Sequence, residues 1–266
     1  MKTKKELLSS LDFDFILDLN ARLRLLKGIK YFTKEDFIKG LVRRLTKEEC
    51  KFLYLAFSEE FGLEKIIRIF LTQYRPNSGF LVKQFMDNYL RKEISESDDD
   101  IIFFEFPVMN KRTDICRINH FSYTYEIKSR IDNVYRSVEQ TEIFLKAFEY
   151  VFLVIDNNGI PRGLDEHVGI IRSINMEKTI EFQVIRNPIK SESLNPRIQL
   201  SLIQKRELRS YLGCKNKNKQ ESIRALLDSN SEGEVNSRFK QIIKERYRVS
   251  CGSSYLSSLT PCFEEI

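Results

Sequence analysis

Residues 112–128 read RTDICRINHFSYTYEIK, and this stretch decides the fold that the sequence predicts. The segments 112–118 and 122–128 have the length and the apolar content of β-strands. Only the three residues 119–121 separate them, and a connection this short joins neighbouring antiparallel strands. The stretch therefore predicts a β-hairpin.

The length of the connection also predicts the register of the hairpin. Pairing Ile118 with Ser122 makes the numbers of opposed residues sum to 240, which places Asp114 opposite Glu126. Directly opposed residues share a face of the sheet, and side chains two apart on one strand do so as well. Asp114, Glu126 and Lys128 are therefore predicted to project from one face.

Two carboxylates this close repel each other unless a cation compensates them. Glu126 and Lys128 also stand at the end of an otherwise aromatic and apolar strand. Two interpretations remain open for the residues alone. Asp114, Glu126 and Lys128 form a structural salt bridge, or the two carboxylates bind a metal ion.

Further strands and one helix are predicted around the hairpin. The order helix, three strands, helix, strand indicates a mixed α/β sheet. The predicted strands are 101–106, 150–155, 168–171 and 180–185, and the predicted helix is 133–148.

Helical segments flank this core. Thr33 and Thr46 are predicted helix caps, Gly62 a helix end and Ser78 a further cap. We divide the chain into a helical N-terminal region (1–78), an α/β core (79–186) and a basic, mainly helical C-terminal region (187–266). The flanks could also mediate an oligomer or bind a protein partner.

Composition restricts the class of protein. The 266 residues are 42% hydrophobic and 31% charged, with a net charge of +6, which indicates a folded domain with a mild bias towards polyanions. The five cysteines are scattered, which argues against a zinc cluster or a disulfide framework. No apolar run is long enough to span a bilayer. We expect a cytoplasmic protein without membrane contact.

Several kinds of catalytic site are excluded as well. With two histidines in the chain, a histidine-rich metal centre is not expected, and neither histidine lies in a nucleophile-elbow context. The glycine-rich loop of P-loop nucleotide-binding proteins is also missing. Catalysis must therefore come from carboxylates and lysine.

The chain resembles the PD-(D/E)XK nuclease superfamily, and within it a bacterial group of small, poorly characterised nuclease-like proteins. The resemblance covers about residues 80–185. It is carried by Arg112-Thr-Asp114-Ile-Cys, Tyr125-Glu126-Ile127-Lys128-Ser129, Arg130-x-Asp132-Asn133, Arg136-x-x-x-Gln140-x-x-x-Phe144 and Val151-Phe-Leu-Val154. It implies a restriction-endonuclease-like core and hydrolysis of phosphodiester bonds.

The resemblance also implies roles for individual residues. Asp114 and Glu126 match the two acidic metal ligands, and the Ile127 carbonyl is expected to complete the set. Lys128 matches the lysine that activates the attacking water and stabilises the developing charge. Gln140 matches a helix glutamine of related branches. Oxygen ligands of this kind suit Mg²⁺, with Mn²⁺ as a substitute.

The sequence departs from the family pattern at two positions. Phe144 stands where related branches carry tyrosine, so the role of that hydroxyl is missing, and Thr113 replaces the proline of the superfamily's name. Glu105 is a further candidate ligand, or else an outward-facing residue of a partly exposed strand.

Basic residues are the candidates for contacts with DNA. Segment 205–219 carries six basic residues and one acid, a local charge of +5, and such a patch either binds phosphates or is a solvated face. The residues expected to contact DNA are Arg112, Arg130, Arg136, Lys215, Lys217 and Lys219.

Two hypotheses of different class follow. The first is a magnesium-dependent deoxyribonuclease, acting in DNA repair or in defence against foreign DNA. The second is a nuclease-fold module that binds DNA or a protein without cutting. Complete retention of Asp114, Glu126 and Lys128 favours the first.

Overall fold

The structure is a computed structural model, and it describes residues 2–23, 25–26, 33–74, 78–94, 100–130, 132–156, 159–175, 180–212 and 218–251. They divide into two compact units, one of the described residues up to Tyr74 together with Asn175, and one of the remaining described residues. Within the described ranges, no helix combines the length and the apolar character that crossing a bilayer requires.

The first unit is a bundle of five helices around its own apolar core. The helices are α1 (Lys4–Ser9), α2 (Phe13–Leu23), α3 (Lys34–Arg44), α4 (Lys47–Ser58) and α5 (Leu63–Gln73). Thr33 caps α3, and Thr46 with Glu49 forms a capping box on α4, as predicted. The prediction for Gly62 is wrong, because α4 ends at Ser58 and Gly62 precedes α5.

The second unit is built on a mixed sheet of six strands in the order β1-β4-β5-β6-β7-β8. The strands are β1 (Ile101–Phe104), β4 (Ile115–Ile118), β5 (Ser122–Lys128), β6 (Tyr150–Asp156), β7 (Gly169–Asn175) and β8 (Ile180–Arg186). A separate small hairpin pairs β2 (Pro107–Val108) with β3 (Lys111–Arg112). The predicted mixed α/β class is confirmed.

Helix α8 (Arg136–Leu145) connects β5 to the parallel strand β6. The helix therefore begins near the carboxyl end of β5 and runs back across the sheet. This connection brings the first turns of α8 to the end of the sheet where Glu126 and Lys128 lie.

Alternate residues of the strands pack into two different cores. Cys116, Leu153 and Ile155 belong to the core on the face that α8 covers. Tyr125 and Ile127 belong to the core on the opposite face, beneath α6 (Ser78–Phe85) and the π-helical segment Met86–Leu90, which continues into the short helix α7 (Arg91–Glu93). Ser78 is thus the first residue of α6 rather than its cap.

Four C-terminal helices pack against the α8 face of the sheet. Their apolar side chains, among them Leu200, Leu208, Leu226 and Phe239, are part of the same core. The helices are α9 (Pro196–Leu202), α10 (Lys205–Leu212), α11 (Lys219–Ser229) and α12 (Glu232–Cys251). The C-terminal region thus shares one compact unit with the sheet.

Candidate active site

The hairpin of β4 and β5 brings Asp114, Glu126 and Lys128 together on the α8 face. Ile115 pairs with Tyr125 and Ile118 with Ser122, which is the register predicted from the connection. Asp114 immediately precedes β4 and continues that register opposite Glu126. A register slip of one residue would have separated the two carboxylates onto opposite faces.

Glu126 is a buried acid with one satisfied and one unsatisfied oxygen. Its side chain is 2% exposed, and Lys128 Nζ donates a hydrogen bond to Oε1. The Gln140 side chain on α8 approaches the same carboxyl and lowers its pKa. Oε2 nevertheless has no partner of acceptable hydrogen-bond geometry among the described residues. An unsatisfied buried carboxylate oxygen is costly.

Asp114 is held against β5 by a backbone contact. The Ile127 N–H donates a hydrogen bond of 2.6 Å to Asp114 Oδ2. Burial is the larger cause that raises the pKa of Asp114 to about 8, and repulsion from Glu126 is the second. The Ile127 N–H and Lys128 act in the opposite direction without cancelling these effects.

Burial also raises the pKa of Glu126, although Lys128 and Gln140 both lower it. The positive charge of Lys128 is therefore not enough to compensate both carboxyl groups. A buried pair in this state either takes up a proton or gains a cation. Carboxylate oxygens are hard ligands of the type that Mg²⁺ and Mn²⁺ prefer, so the donor set fits such an ion.

A third acidic side chain does not join this pair. In the described part of the chain, no group of three or more histidine, cysteine or acidic residues is close enough to hold a metal ion. Glu105 leaves β1 with a φ of +56°, and its side chain is 62% exposed and forms an ion pair with Arg112 at 3.1 Å. This placement corresponds to the outward-facing alternative for Glu105.

The arginines expected to contact DNA are placed differently from one another. Arg112 is exposed and paired with Glu105, and Arg136 is exposed at the first turn of α8. Arg130 donates from Nε and Nη2 to the fully buried Asp156, at 2.9 and 3.3 Å. The Ser173 hydroxyl donates to the same carboxylate at 3.0 Å.

The basic segment is described only in part. Lys215 and Lys217 lie outside the described residues. Lys219 Nζ donates to the Ser201 carbonyl at 2.5 Å, at the end of α9. The exposed basic side chains of this segment are those of α10, namely Lys205, Arg206 and Arg209.

Sequence reasoning missed Asp156 and Ser173. Asp156 lies one residue beyond the predicted strand 150–155, although it is the last residue of β6. The single signal in the sequence was an acid directly after an apolar strand. Its partner Arg130 precedes it by 26 residues, so the pair becomes visible only when β5 and β6 are aligned.

Fold and site define a mixed α/β protein with a half-buried and a buried carboxylate, those of Asp114 and Glu126, and a lysine at the carboxyl end of a strand. The sequence profile of the family described as bacteriophage P4 protein cII matches residues 63–260. The chain belongs to this family.

Other comparisons add little. No curated protein matches the chain. A solved structure, the SPO1766 protein of unknown function from Silicibacter pomeroyi, is similar at 18% identity over 49% of this chain and 88% of that chain, with a TM-score of 0.33.

Proposed function

We propose that this protein is a metal-dependent DNA nuclease whose sheet is a restriction-endonuclease-like core. The observation that carries the proposal is the closeness of the half-buried Asp114 carboxyl to the buried carboxyl of Glu126. Their pKa values remain raised with Lys128 in contact, and Glu126 Oε2 has no hydrogen-bond partner within the described residues. A divalent cation supplies the missing positive charge and an electrostatic partner for both carboxylates.

In this proposal Asp114, Glu126 and the Ile127 carbonyl hold Mg²⁺ or Mn²⁺. When bound, such an ion polarises the scissile phosphate and lowers the pKa of a coordinated water. The exposed Glu105 is outside this set.

Lys128 and Gln140 act around the two ligands. Lys128 holds Glu126 in place and presents a positive charge where negative charge develops during phosphodiester hydrolysis. Gln140 favours the ionised form of Glu126, because its contact lowers the pKa of that carboxyl. This contact opposes the effect of burial, which raises the pKa of Glu126 overall.

DNA is the proposed substrate because exposed basic side chains lie at the first turn of α8 and along α10, and such side chains suit phosphates. Repair and defence against foreign DNA both fit this activity. Cys50 and Cys116 are buried and form no disulfide bond within the described residues, which suits a reducing cytoplasm.

One observation favours a second candidate, a DNA- or protein-binding module without catalysis. Lys128 and Glu126 already form an ion pair, and such a pair can serve as a structural element without any metal. In that case the carboxylates have a structural role and do not bind a metal ion.

The two candidates differ in cleavage and in metal binding. Wild-type protein, Glu126→Gln and Lys128→Ala are incubated with linear, circular and single-stranded DNA in Mg²⁺, Mn²⁺ or EDTA. We expect metal-dependent cleavage by the wild type and none by Glu126→Gln. For Lys128→Ala we expect a rate lower by about 10²–10³-fold with metal binding retained.

Asp228→Asn is the matched control, because Asp228 is an exposed carboxylate on α11 that has no part in the proposed site. Circular dichroism verifies folding of each variant. Absence of cleavage of every DNA form by the wild type, with equal DNA binding by Glu126→Gln, would favour the binding module.

A further inference from the structure

Two buried side-chain polar atoms lack a hydrogen-bond partner in the described part of the chain. One is Oε2 of Glu126, and the other is Nε of Arg172 on β7. A buried polar atom without a partner costs free energy, and each instance in a native protein requires an explanation. The cation for Glu126 is part of the proposed function. Arg172 has no part in the proposed metal site.

Arg172 projects from the same face of the sheet as Lys128. Lys128 pairs with Ile155 on β6, and Ile155 pairs with Arg172 on β7. Directly paired residues share a face, and Ile155 lies in the core on the α8 side. Lys128, Ile155 and Arg172 therefore form one row across three parallel strands at their carboxyl ends.

Among the described residues, the neighbours of Arg172 on β6 and β7 do not compensate its charge. Ile155 beside it is apolar and fully buried, and Ile171 belongs to the core of the opposite face. Asp156 and Ser173 also project towards that opposite face, where Asp156 binds Arg130. Arg172 is half-buried, and a cation in that position normally pairs with an anion.

We infer that Arg172 binds a phosphate of the DNA backbone, an inference that rests on the proposed nuclease function for the identity of the ligand. Guanidinium groups suit phosphate oxygens because their planar donors match them. The ligand is an oxyanion because no carboxylate of the described residues forms an ion pair with Arg172.

The position of this phosphate follows from the spacing of the strands. Adjacent strands lie about 4.8 Å apart, so Lys128 and Arg172 emerge from backbones about 10 Å apart. Nucleotides of B-DNA rise by about 3.4 Å each along the helix axis, and successive phosphates of one strand lie farther apart than this because the strand winds around the axis. Arg172 therefore contacts a phosphate about one or two nucleotides from the cleaved bond, and the DNA strand crosses the ends of β5, β6 and β7.

This contact is tested by replacing the Arg172 side chain or by removing the charge of a single phosphate. Labelled DNA with one uncharged methylphosphonate, moved through successive positions, is titrated in EDTA with wild type, Arg172→Gln and Arg172→Lys. Arg43→Gln is the control, because Arg43 is an exposed arginine of α3. We expect Arg172→Gln to bind about tenfold more weakly, the loss typical of one charge-assisted hydrogen bond.

Coupling to a single phosphate distinguishes a direct contact from a general loss of charge. One methylphosphonate position should weaken binding by the wild type and have no effect on Arg172→Gln, and wild-type cleavage in Mg²⁺ should map about one or two nucleotides from it. Equal binding by Arg172→Gln and Arg43→Gln at every position would overturn the inference. So would unfolding of Arg172→Lys, which keeps the charge and would then reveal a packing role.

The inference and the proposed function fail separately. Coupling between Arg172 and one phosphate, without cleavage of any DNA by the wild type, would refute the nuclease and leave the phosphate contact standing. Metal-dependent cleavage without such coupling would retain the nuclease and refute the role of Arg172.

Discussion

Glu126 raises the pKa of Asp114 by repulsion, in addition to the larger effect of burial, and the pKa of Asp114 reaches about 8. The two carboxyl groups project from adjacent antiparallel strands onto one face of the sheet. Neither the Ile127 N–H nor the Lys128 ammonium restores an ordinary pKa to Asp114. This relationship makes the stability of the metal-free protein depend on pH.

We expect the unfolding free energy of the metal-free protein to fall as pH rises from about 4 to about 8. In that window the unfolded chain has released the Asp114 proton and the native protein still holds it, so raising the pH favours the unfolded state. Asp114→Asn should remove this part of the pH dependence, and Asp228→Asn should not. Urea unfolding at a series of pH values in EDTA measures how the unfolding free energy of each protein depends on pH. A profile identical in wild type and Asp114→Asn would contradict the raised pKa.

Gln140 should matter for cleavage more than its position on a helix surface suggests. Its contact lowers the pKa of Glu126, so Gln140→Ala should weaken metal binding and slow cleavage by about 10–100-fold. Glu142→Gln alters an exposed residue of the same helix and should leave both unchanged. Calorimetric titration with Mg²⁺ and cleavage assays provide the measurements. Equal Mg²⁺ affinity for Gln140→Ala and wild type would remove Gln140 from the site.

Glu149 anchors α12 to the sheet, and its two lysine partners should contribute unequally to stability. Its side chain is 2% exposed and lies 2.9 Å from Lys240 Nζ and 3.3 Å from Lys190 Nζ. Lys240→Met should lower the unfolding free energy by about 1–3 kcal/mol, because it removes a charged hydrogen bond from a buried acid. Lys190 is 54% exposed, so Lys190→Met should cost less than about 1 kcal/mol. Chemical denaturation measures the unfolding free energies of the two variants. A larger loss for Lys190→Met than for Lys240→Met would contradict the assignment of Lys240 as the main partner of Glu149.

Helix α10 should contribute to DNA affinity without sequence preference. Its exposed side chains Lys205, Arg206 and Arg209 are expected to contact phosphates and displace counterions. Replacing all three by glutamine should reduce the slope of log affinity against log salt by about 2–3 on duplex DNA. Fluorescence anisotropy at several salt concentrations measures the slope. An unchanged slope would identify α10 as a solvated face.

The sequence by itself determined the hairpin that carries the site. A three-residue connection leaves one pairing of residues 118 and 122, and strand alternation then places Asp114, Glu126 and Lys128 on one face. The caps at Thr33 and Thr46 were likewise readable, because capping involves residues three apart. Each of these features depends on residues that are close together in the chain, so the sequence alone is enough to predict it.

Tertiary structure alone decided which groups surround the site. The backbone turn at Glu105, with its φ of +56°, directs that acid to Arg112, and the course of α8 brings Gln140 to Glu126. Arg172 joins the row of Lys128 only through the parallel pairing of β5, β6 and β7. Such neighbours are dozens of residues apart in the chain, and their proximity depends on the packing of the whole sheet. The periodicity of apolar residues along one segment does not indicate how distant segments pack together.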